Sequence, residues 1–369
     1  MRQNPIKSRG SVNVTDPTLS AKSEKKIVSL SFDNGYGGIA KSLVTYAQAC
    51  KLAGIDHSLI TANGSPAIDT ITQNQDGAVF SINKNLLRAH LYTGFLGAPA
   101  LGRVLQEADV ILLHNAKLIR FMGRYKKKSV IVNHTGKLRF LDAAAGIIFI
   151  SQRAKTRYLE QNPSTTAIMP VIPHAFTQSV EPSPPREVSR PIKFIAAGRM
   201  VVKKGFADLL EAAIELSARR DEFTLEIYGD GPEYAALSQR LQKAGTTNIF
   251  LPGWTEQLSD KFAASDVFCL PSKHEAFGLV LGEAMIHGLP TIASKTDGTS
   301  QIFSFETPEQ NGGLLYEAGD RVALKAHMET FLDTPQKARE LGLLARTTIV
   351  DSFNINILAE NFRQLVGRF

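Results

Sequence analysis

Apolar and polar positions along this chain follow two alternating rhythms. Short apolar runs at Lys26–Phe32, Ser58–Thr61, Val110–Leu113, Val130–Val132 and Gly146–Ile150 read as buried strands. After the first run, the Gly-rich turn 33–38 leads into Ile39–Ala53, which has helical spacing and stops at Gly54. The pattern breaks over 174–191, where Pro182, Pro184, Pro185 and Pro191 interrupt any periodicity. It then restarts with strands at Ile192–Ala197, Thr224–Tyr228, Ile249–Leu251, Val267–Leu270 and Thr291–Ala293. Helices are expected at Phe206–Leu216, Glu233–Lys243 and roughly Gly278–His287, and the remainder of the chain is helical.

Two separate runs of strand–helix–strand units predict an α/β protein with two Rossmann-like β/α/β domains facing a central cleft. The expected division is a disordered leader over 1–24, an N-terminal acceptor-binding domain over 25–173 and a linker over 174–191. A C-terminal nucleotide-sugar domain follows over 192–352, and a last helix over 353–369 is expected to return toward the N-terminal domain. In open parallel sheets ligands sit at the carboxyl ends of the strands, so the natural place for chemistry is between the two domains.

Composition narrows this only slightly. A chain of 369 residues is long for one domain and comfortable for two. No apolar run reaches the roughly 18 residues of a membrane-spanning helix. The start of the chain is polar and lacks the apolar stretch of a signal peptide. Its two cysteines, Cys50 and Cys269, lie in apolar surroundings and read as reduced core residues. Together these features favour the cytoplasm.

The strongest chemical signal runs from Leu270 to Met285, L-P-S-K-H-E-A-F-G-L-V-L-G-E-A-M. Glu275 follows a strand, Gly278 opens a helix, and Glu283 lies inside it. The first N–H groups of that helix, about Phe277 to Leu279, point a positive dipole end outward and suit a phosphate or a sugar oxygen. Carboxylates repel a diphosphate, so Glu275 and Glu283 are suited to hydroxyl donors instead. By spacing alone, both could equally be glutamates on a helix surface. A second signal stands upstream. Gly198 and Arg199 follow a strand, and Lys204 and Gly205 come five residues later. Two such cations can neutralise a diphosphate and stabilise the charge that grows as it leaves.

With these motifs in view, the sequence resembles family 4 glycosyltransferases of the GT-B fold. The resemblance rests on G-R-x-x-x-x-K-G (Gly198–Gly205), G-D-G-P (Gly229–Pro232), P-S-x-x-E-x-F-G-L-x-x-x-E-A-M (Pro271–Met285), G-L-P-T-I-A-S (Gly288–Ser294) and N-G-G-L-L (Asn311–Leu315). These occur in the family's order across roughly 192–320. The resemblance implies a nucleotide-diphosphate-sugar donor, UDP- or GDP-linked, held by Gly198, Arg199, Lys204, Glu275, Phe277, Gly278, Leu279 and Glu283. Glu283 would take the ribose diol and Glu275 a hydroxyl of the transferred sugar. In the first half, Gly37 and Gly38 resemble the family's loop near the donor phosphates. Val132–Thr135 (V-N-H-T) resembles the strand end whose histidine contacts the sugar, making His134 the candidate; His114 is the alternative. Pro173-His174-Ala175 departs from the family's Pro-Asn-Gly, and Asp297–Gln301 departs from its Gly-Gly and following Glu.

The resemblance further implies transfer with retention of configuration, by a front-face route in which the leaving phosphate takes the acceptor's proton. His134, Glu275, Arg199 and Lys204 are the expected catalytic set. Basic side chains can balance the diphosphate, so no metal or other cofactor is expected.

Charge adds a question of partners. Net charge is +7, yet the window from Lys117 to Arg157 holds eleven basic residues against Asp142 alone, leaving the remainder net negative. They are Lys117, Arg120, Arg124, Lys126, Lys127, Lys128, Lys137, Arg139, Arg153, Lys155 and Arg157. Interleaved with Leu118, Ile119, Phe121, Met122, Tyr125 and Phe140, the stretch reads as an amphipathic basic patch for an anionic membrane surface. A solvated charged face is the plain alternative, and no nucleic-acid motif accompanies the charge. The acceptor expected on this reading is a lipid-linked or lipopolysaccharide-core glycan at the inner membrane face. The competing functions are a sugar-nucleotide epimerase on the same fold and a catalytically silent sugar-nucleotide-binding protein. A dinucleotide oxidoreductase is disfavoured because Gly37-Gly38 does not complete G-x-G-x-x-G.

Overall fold

In this computed structural model the described residues are 13–14, 25–32, 37–83, 85, 99–135, 137, 139–141, 143–177, 190–303 and 306–369. Most of the leader, the turn 33–36, Leu138, Asp142 and the linker segment 178–189 lie outside them. The chain divides into two compact units.

The first unit is built on β2 (Lys26–Ser31), β3 (Asp56–Ala62), β4 (Ala78–Ile82), β5 (Val110–Leu113), β6 (Ser129–Asn133) and β7 (Gly146–Phe149), all parallel, in the order β4-β3-β2-β5-β6-β7. Of the leader, Asn13–Val14 (β1) is described. It lies antiparallel to Ser81 and Phe80, pairing with the edge strand β4. The helix Gly38–Ala53 buries Leu43, Tyr46, Ala47 and Cys50, an i, i+3, i+4, i+7 stripe, and ends on Gly54 in the left-handed conformation.

The second unit carries β8 (Ile192–Ala197), β9 (Phe223–Tyr228), β10 (Ile249–Gly253), β11 (Val267–Leu270), β12 (Thr291–Ser294) and β13 (Gly313–Tyr316). These strands are also parallel, in the order β10-β9-β8-β11-β12-β13. Its core gathers Phe194, Phe206, Leu209, Phe223, Ile292 and Phe331. Phe206–Ser217, Tyr234–Ala244, Leu279–Ile286, Arg321–Asp333 and Gln336–Ser352 are its longer helices. Strand order reverses direction between β2 and β5 in one sheet and between β8 and β11 in the other. In doubly wound sheets such switch points leave a crevice at the strands' carboxyl ends.

The division differs from the expected boundaries chiefly at one segment. Residues Ser151–Arg157 belong with the second unit, because Asp297 pairs with Arg157 at 2.7 Å and Arg153 at 3.5 Å, while the Gln152 N–H donates to Gln301 Oε1 at 2.9 Å. The closing helix, Ile355–Val366, counts with the first unit. There Phe362 meets the Tyr46 ring edge-on at 4.9 Å, and Arg363 donates to the Leu52 and Ala53 carbonyls. β4 and β13 are strands that the apolar rhythm alone does not announce.

Candidate functional site

The site is built on the loops that leave β8 and β11, neighbours at the second unit's switch point. Loop 198–205 and loop 271–278 are zipped together: the Lys203 carbonyl accepts from the Lys273 N–H at 2.8 Å and from the His274 N–H at 3.3 Å. Gly205 makes this approach possible. Its φ is +67°, and a Cβ there would collide with the Pro271 carbonyl. Lys273 is held across the loops by Asp208 at 3.0 Å.

This zipper delivers Lys204 to Glu275. Nζ lies 2.5 Å from Oε2, with 17% and 14% of the two side chains exposed. Ser272 Oγ donates to the same carboxylate oxygen at 3.3 Å, and the Ser272 carbonyl in turn accepts from Ser294 Oγ at 2.5 Å. The Glu275 backbone is fixed as well, its carbonyl accepting the Gly298 N–H at 2.9 Å. Gly298 has to be small: a Cβ would stand 2.6 Å from the Phe277 nitrogen. The sequence does not announce Ser272, Ser294 or Gly298 as supports, since each acts through a neighbour distant along the chain.

Gly278 caps the helix Leu279–Ile286, whose first turn contains no acidic residue. Its leading N–H groups lack intrahelical acceptors and its dipole is unopposed there. Glu283 follows Leu279 by four positions, hence shares its face one turn on, and side chains on a helix tilt toward its N-terminus. Glu283 is half-buried. Phe277 is buried and packs edge-on against His174 at 5.2 Å and Phe353 at 5.8 Å, so its ring is part of the interior. Arg199, just after Gly198, is exposed and has no ion pair among the described residues. Lys204 and Glu275 are therefore brought into contact, Leu279 and Glu283 share one helix face, and Arg199 is an exposed cation next to Gly198.

The two departures from the family pattern have local explanations. His174 is buried on Phe277, and burial pushes its imidazole down to about 4. Gln301 spends its carbonyl oxygen on the Gln152 N–H, the first of the helix Gln152–Gln161, and Asp297 is taken by Arg153 and Arg157.

In the first unit, the residues read as alternatives form a pair. His114 Nδ1 and His134 Nε2 are 2.8 Å apart, with the rings stacked at 5.0 Å and 22°. His114, at the end of β5, is only 3% exposed, and Tyr46 packs on it at 5.4 Å. It packs against and supports His134, which is half-buried after β6. Gly37 and Gly38 are exposed at the start of the Gly38–Ala53 helix, whose first turn also lacks an acid.

The basic window is not one amphipathic surface. Arg153, Lys155 and Arg157 belong to the second unit. In the first, two 3-10 turns, Ala116–Phe121 and Gly123–Lys128, repeat every three residues and turn Ile119, Met122 and Tyr125 inward, with Leu118 also buried. Lys128 is committed to the Gln106 and Ala108 carbonyls at 2.7 Å each, and Arg124 covers the Tyr125 ring at 5.2 Å. What remains outside is mostly charge: Lys117, Arg120, Arg124, Lys126, Lys127, Lys137 and Arg139 are exposed, with Phe140 also exposed under Arg120 and Phe121 half-buried.

Residues 179–348 match the family model "Glycosyl transferases group 1". The chain is 26% identical over 346 residues to the lipopolysaccharide core biosynthesis glycosyltransferase LpsD of Rhizobium meliloti, spanning 90% of this chain and 95% of that protein. It is 25% identical to the 2-deoxystreptamine glucosyltransferase of Streptomyces kanamyceticus over 74% of each. Its fold matches that of HepE from Anabaena, solved with UDP and glucose, with a TM-score of 0.75 at 18% identity, over 94% of this chain and all of that one. No helix among the described residues is long and apolar enough to cross a membrane. Two parallel doubly wound sheets give this chain the GT-B fold, and the stretch that carries the loops meeting at β8 and β11 is similar to the group 1 glycosyltransferases.

Proposed function

We propose that this glycosyltransferase moves a sugar, with retention of anomeric configuration, from a UDP- or GDP-sugar to a saccharide on a lipid-linked or lipopolysaccharide-core glycan. The observation that carries the reading is the contact of Lys204 with Glu275 at the β8–β11 switch point, beside an acid-free helix start. A cation for the diphosphate and a carboxylate for a sugar hydroxyl stand within one site. Lys204, Arg199 and the N–H groups near Phe277–Leu279 take the diphosphate, Glu283 the ribose diol, and Glu275 a hydroxyl of the sugar. On the first unit, Gly37 and Gly38 are assigned to the donor phosphates and His134 to the transferred sugar by the family resemblance alone.

In the step itself, the acceptor oxygen bonds to the anomeric carbon from the side of the departing diphosphate. The carbon–oxygen bond to phosphate breaks with its electron pair going to that oxygen, which takes the acceptor's proton. Lys204 and Arg199 stabilise the growing charge, so the reaction proceeds without a divalent ion. The near-full-length similarity to a core biosynthesis enzyme supports the acceptor class. The exposed lysines and arginines between Lys117 and Arg139 hold the enzyme to an anionic inner-membrane surface by charge alone.

A screen of UDP- and GDP-sugars by thermal shift tests the donor site. A bound donor raises the melting temperature by mass action, and Lys204→Ala or Glu283→Ala abolishes the rise. An unchanged rise in both variants refutes the assignment. NMR of the product reads the anomeric configuration, inversion sinking the mechanism, and activity that vanishes in EDTA would exclude the metal-free step.

A further inference from the structure

Glu275 presents a difficulty for any anion bound at Lys204. Its carboxylate already touches the ammonium, both side chains are mostly buried, and like charges brought together there are weakly screened. Among the described residues, the side-chain donors to Glu275 are Lys204 and Ser272 Oγ, because the Gly298 N–H goes to its backbone carbonyl instead. A diphosphate that draws on Lys204 therefore weakens the compensation of Glu275. Neutral hydroxyl donors from a sugar restore it.

We propose that Glu275 makes the site selective for sugar-bearing donors against bare diphosphates, acting as a built-in repulsive charge that only the sugar's hydroxyls offset. The inference rests on Lys204 being the diphosphate cation. Its consequence is directional. Before transfer the sugar masks the carboxylate; once the sugar has gone to the acceptor, Glu275 again faces the nucleoside diphosphate and favours its departure. Attraction and repulsion in one pocket are the usual way to separate two ligands that share a common part.

The test compares dissociation constants on the full chain for inorganic pyrophosphate, for whichever of UDP and GDP binds more tightly, and for the corresponding sugar-nucleotide. Glu275→Gln keeps the shape and removes the charge. It should bind pyrophosphate and the bare nucleotide about 5- to 10-fold more tightly, while the preference for the sugar-nucleotide shrinks. Ser272→Ala keeps the charge and removes its hydroxyl donor, and should weaken pyrophosphate binding about 2- to 3-fold. Pyrophosphate affinity unchanged or weaker in Glu275→Gln overturns the proposal. So does affinity unchanged or tighter in Ser272→Ala, which decides the matter should the Gln variant not fold. Lys204→Ala separates the layers: if it leaves pyrophosphate binding untouched, the donor-site assignment itself fails, whereas weaker binding in it combined with a null result in Glu275→Gln removes only the selectivity.

Discussion

His114 holds His134 by a single ring-to-ring hydrogen bond, Nδ1 to Nε2 at 2.8 Å, with one ring buried and the other half-open. The bond engages Nε2 of His134 and so fixes the orientation of its ring. His114 is in this sense a positioning residue, and the Tyr46 ring beneath it keeps it in place.

Replacing His114 by Leu removes that bond while leaving the His134 ring intact. Turnover should fall about 2- to 10-fold with little change in donor KM, the scale of one hydrogen bond. His114→Asn, whose amide sits near the Nδ1 position, should recover most of it. Steady-state kinetics checks this; equal losses in both variants would mean packing alone matters.

Gly205→Ala tests the zipper between the two loops. A methyl group at a φ of +67°, pressed against the Pro271 carbonyl, should cost about 1–3 kcal/mol and displace Lys204 from Glu275. A lower melting temperature together with weakened donor binding is expected. Gly245→Ala, at a φ of +63° with open space around it, should lower stability by less and leave donor binding unchanged.

Acid should unfold this protein through two buried imidazoles. Burial pushes His57 and His174 down to about 4, from about 6.5 in an unfolded chain. The unfolded state then binds more protons than the native one at every pH below about 6.5. Stability is fully present above that value and drains as pH falls toward 4, by up to about 3 kcal/mol per residue. Denaturant titrations at pH 7 and pH 4.5 measure it, and His57→Gln should flatten the slope. His57 Nε2 lies 3.0 Å from Ser29 Oγ, a partner the Gln amide can keep.

The basic surface of the first unit should bind vesicles containing anionic lipid at low salt and release them at high salt. Each exposed lysine is worth about 1 kcal/mol at such a surface, so a triple Lys117, Lys126 and Lys127 to Gln variant should lose most of the binding. Neutral vesicles should be bound far more weakly, since Ile119, Met122 and Tyr125 are turned inward and Phe140 is the one exposed large apolar side chain among the described residues of the patch. Co-sedimentation decides; retention of the triple variant on anionic vesicles would place the surface elsewhere.

The site in the second unit was legible because its chemistry sits on short loops directly after apolar strands, with Gly198, Gly205 and Gly278 marking where the backbone turns. The sequence showed Lys204 and Glu275 as separate signals, and their contact required the β8–β11 pairing that no local pattern reveals. The pairing of His114 with His134 was hidden in the same way, each lying at the end of its own strand. In the Lys117–Lys128 stretch the charge is legible but the placement of its apolar residues is not, for a different reason. Its apolar residues recur every three positions, the period of a 3-10 turn, so they line an interior face where a mixture of charge and apolar residues had suggested a membrane-facing one. β4 was missed because A-V-F-S-I is short and follows the polar run 73–77; Gly77 there passes so close to the His57 carbonyl that no larger residue fits.

Tyr46 and Phe362 touch although 316 positions separate them along the chain. A ribosome makes Tyr46 some 316 residues before Phe362. At about 5–20 residues per second, the Gly38–Ala53 helix spends on the order of tens of seconds without the partner that covers it. The second unit, nearly all of it one continuous stretch from Pro173 to Asn354, can close as soon as it emerges. The part of the molecule that is made first is thus the part that is finished last, and its apolar stripe is the surface a chaperone would meet during synthesis.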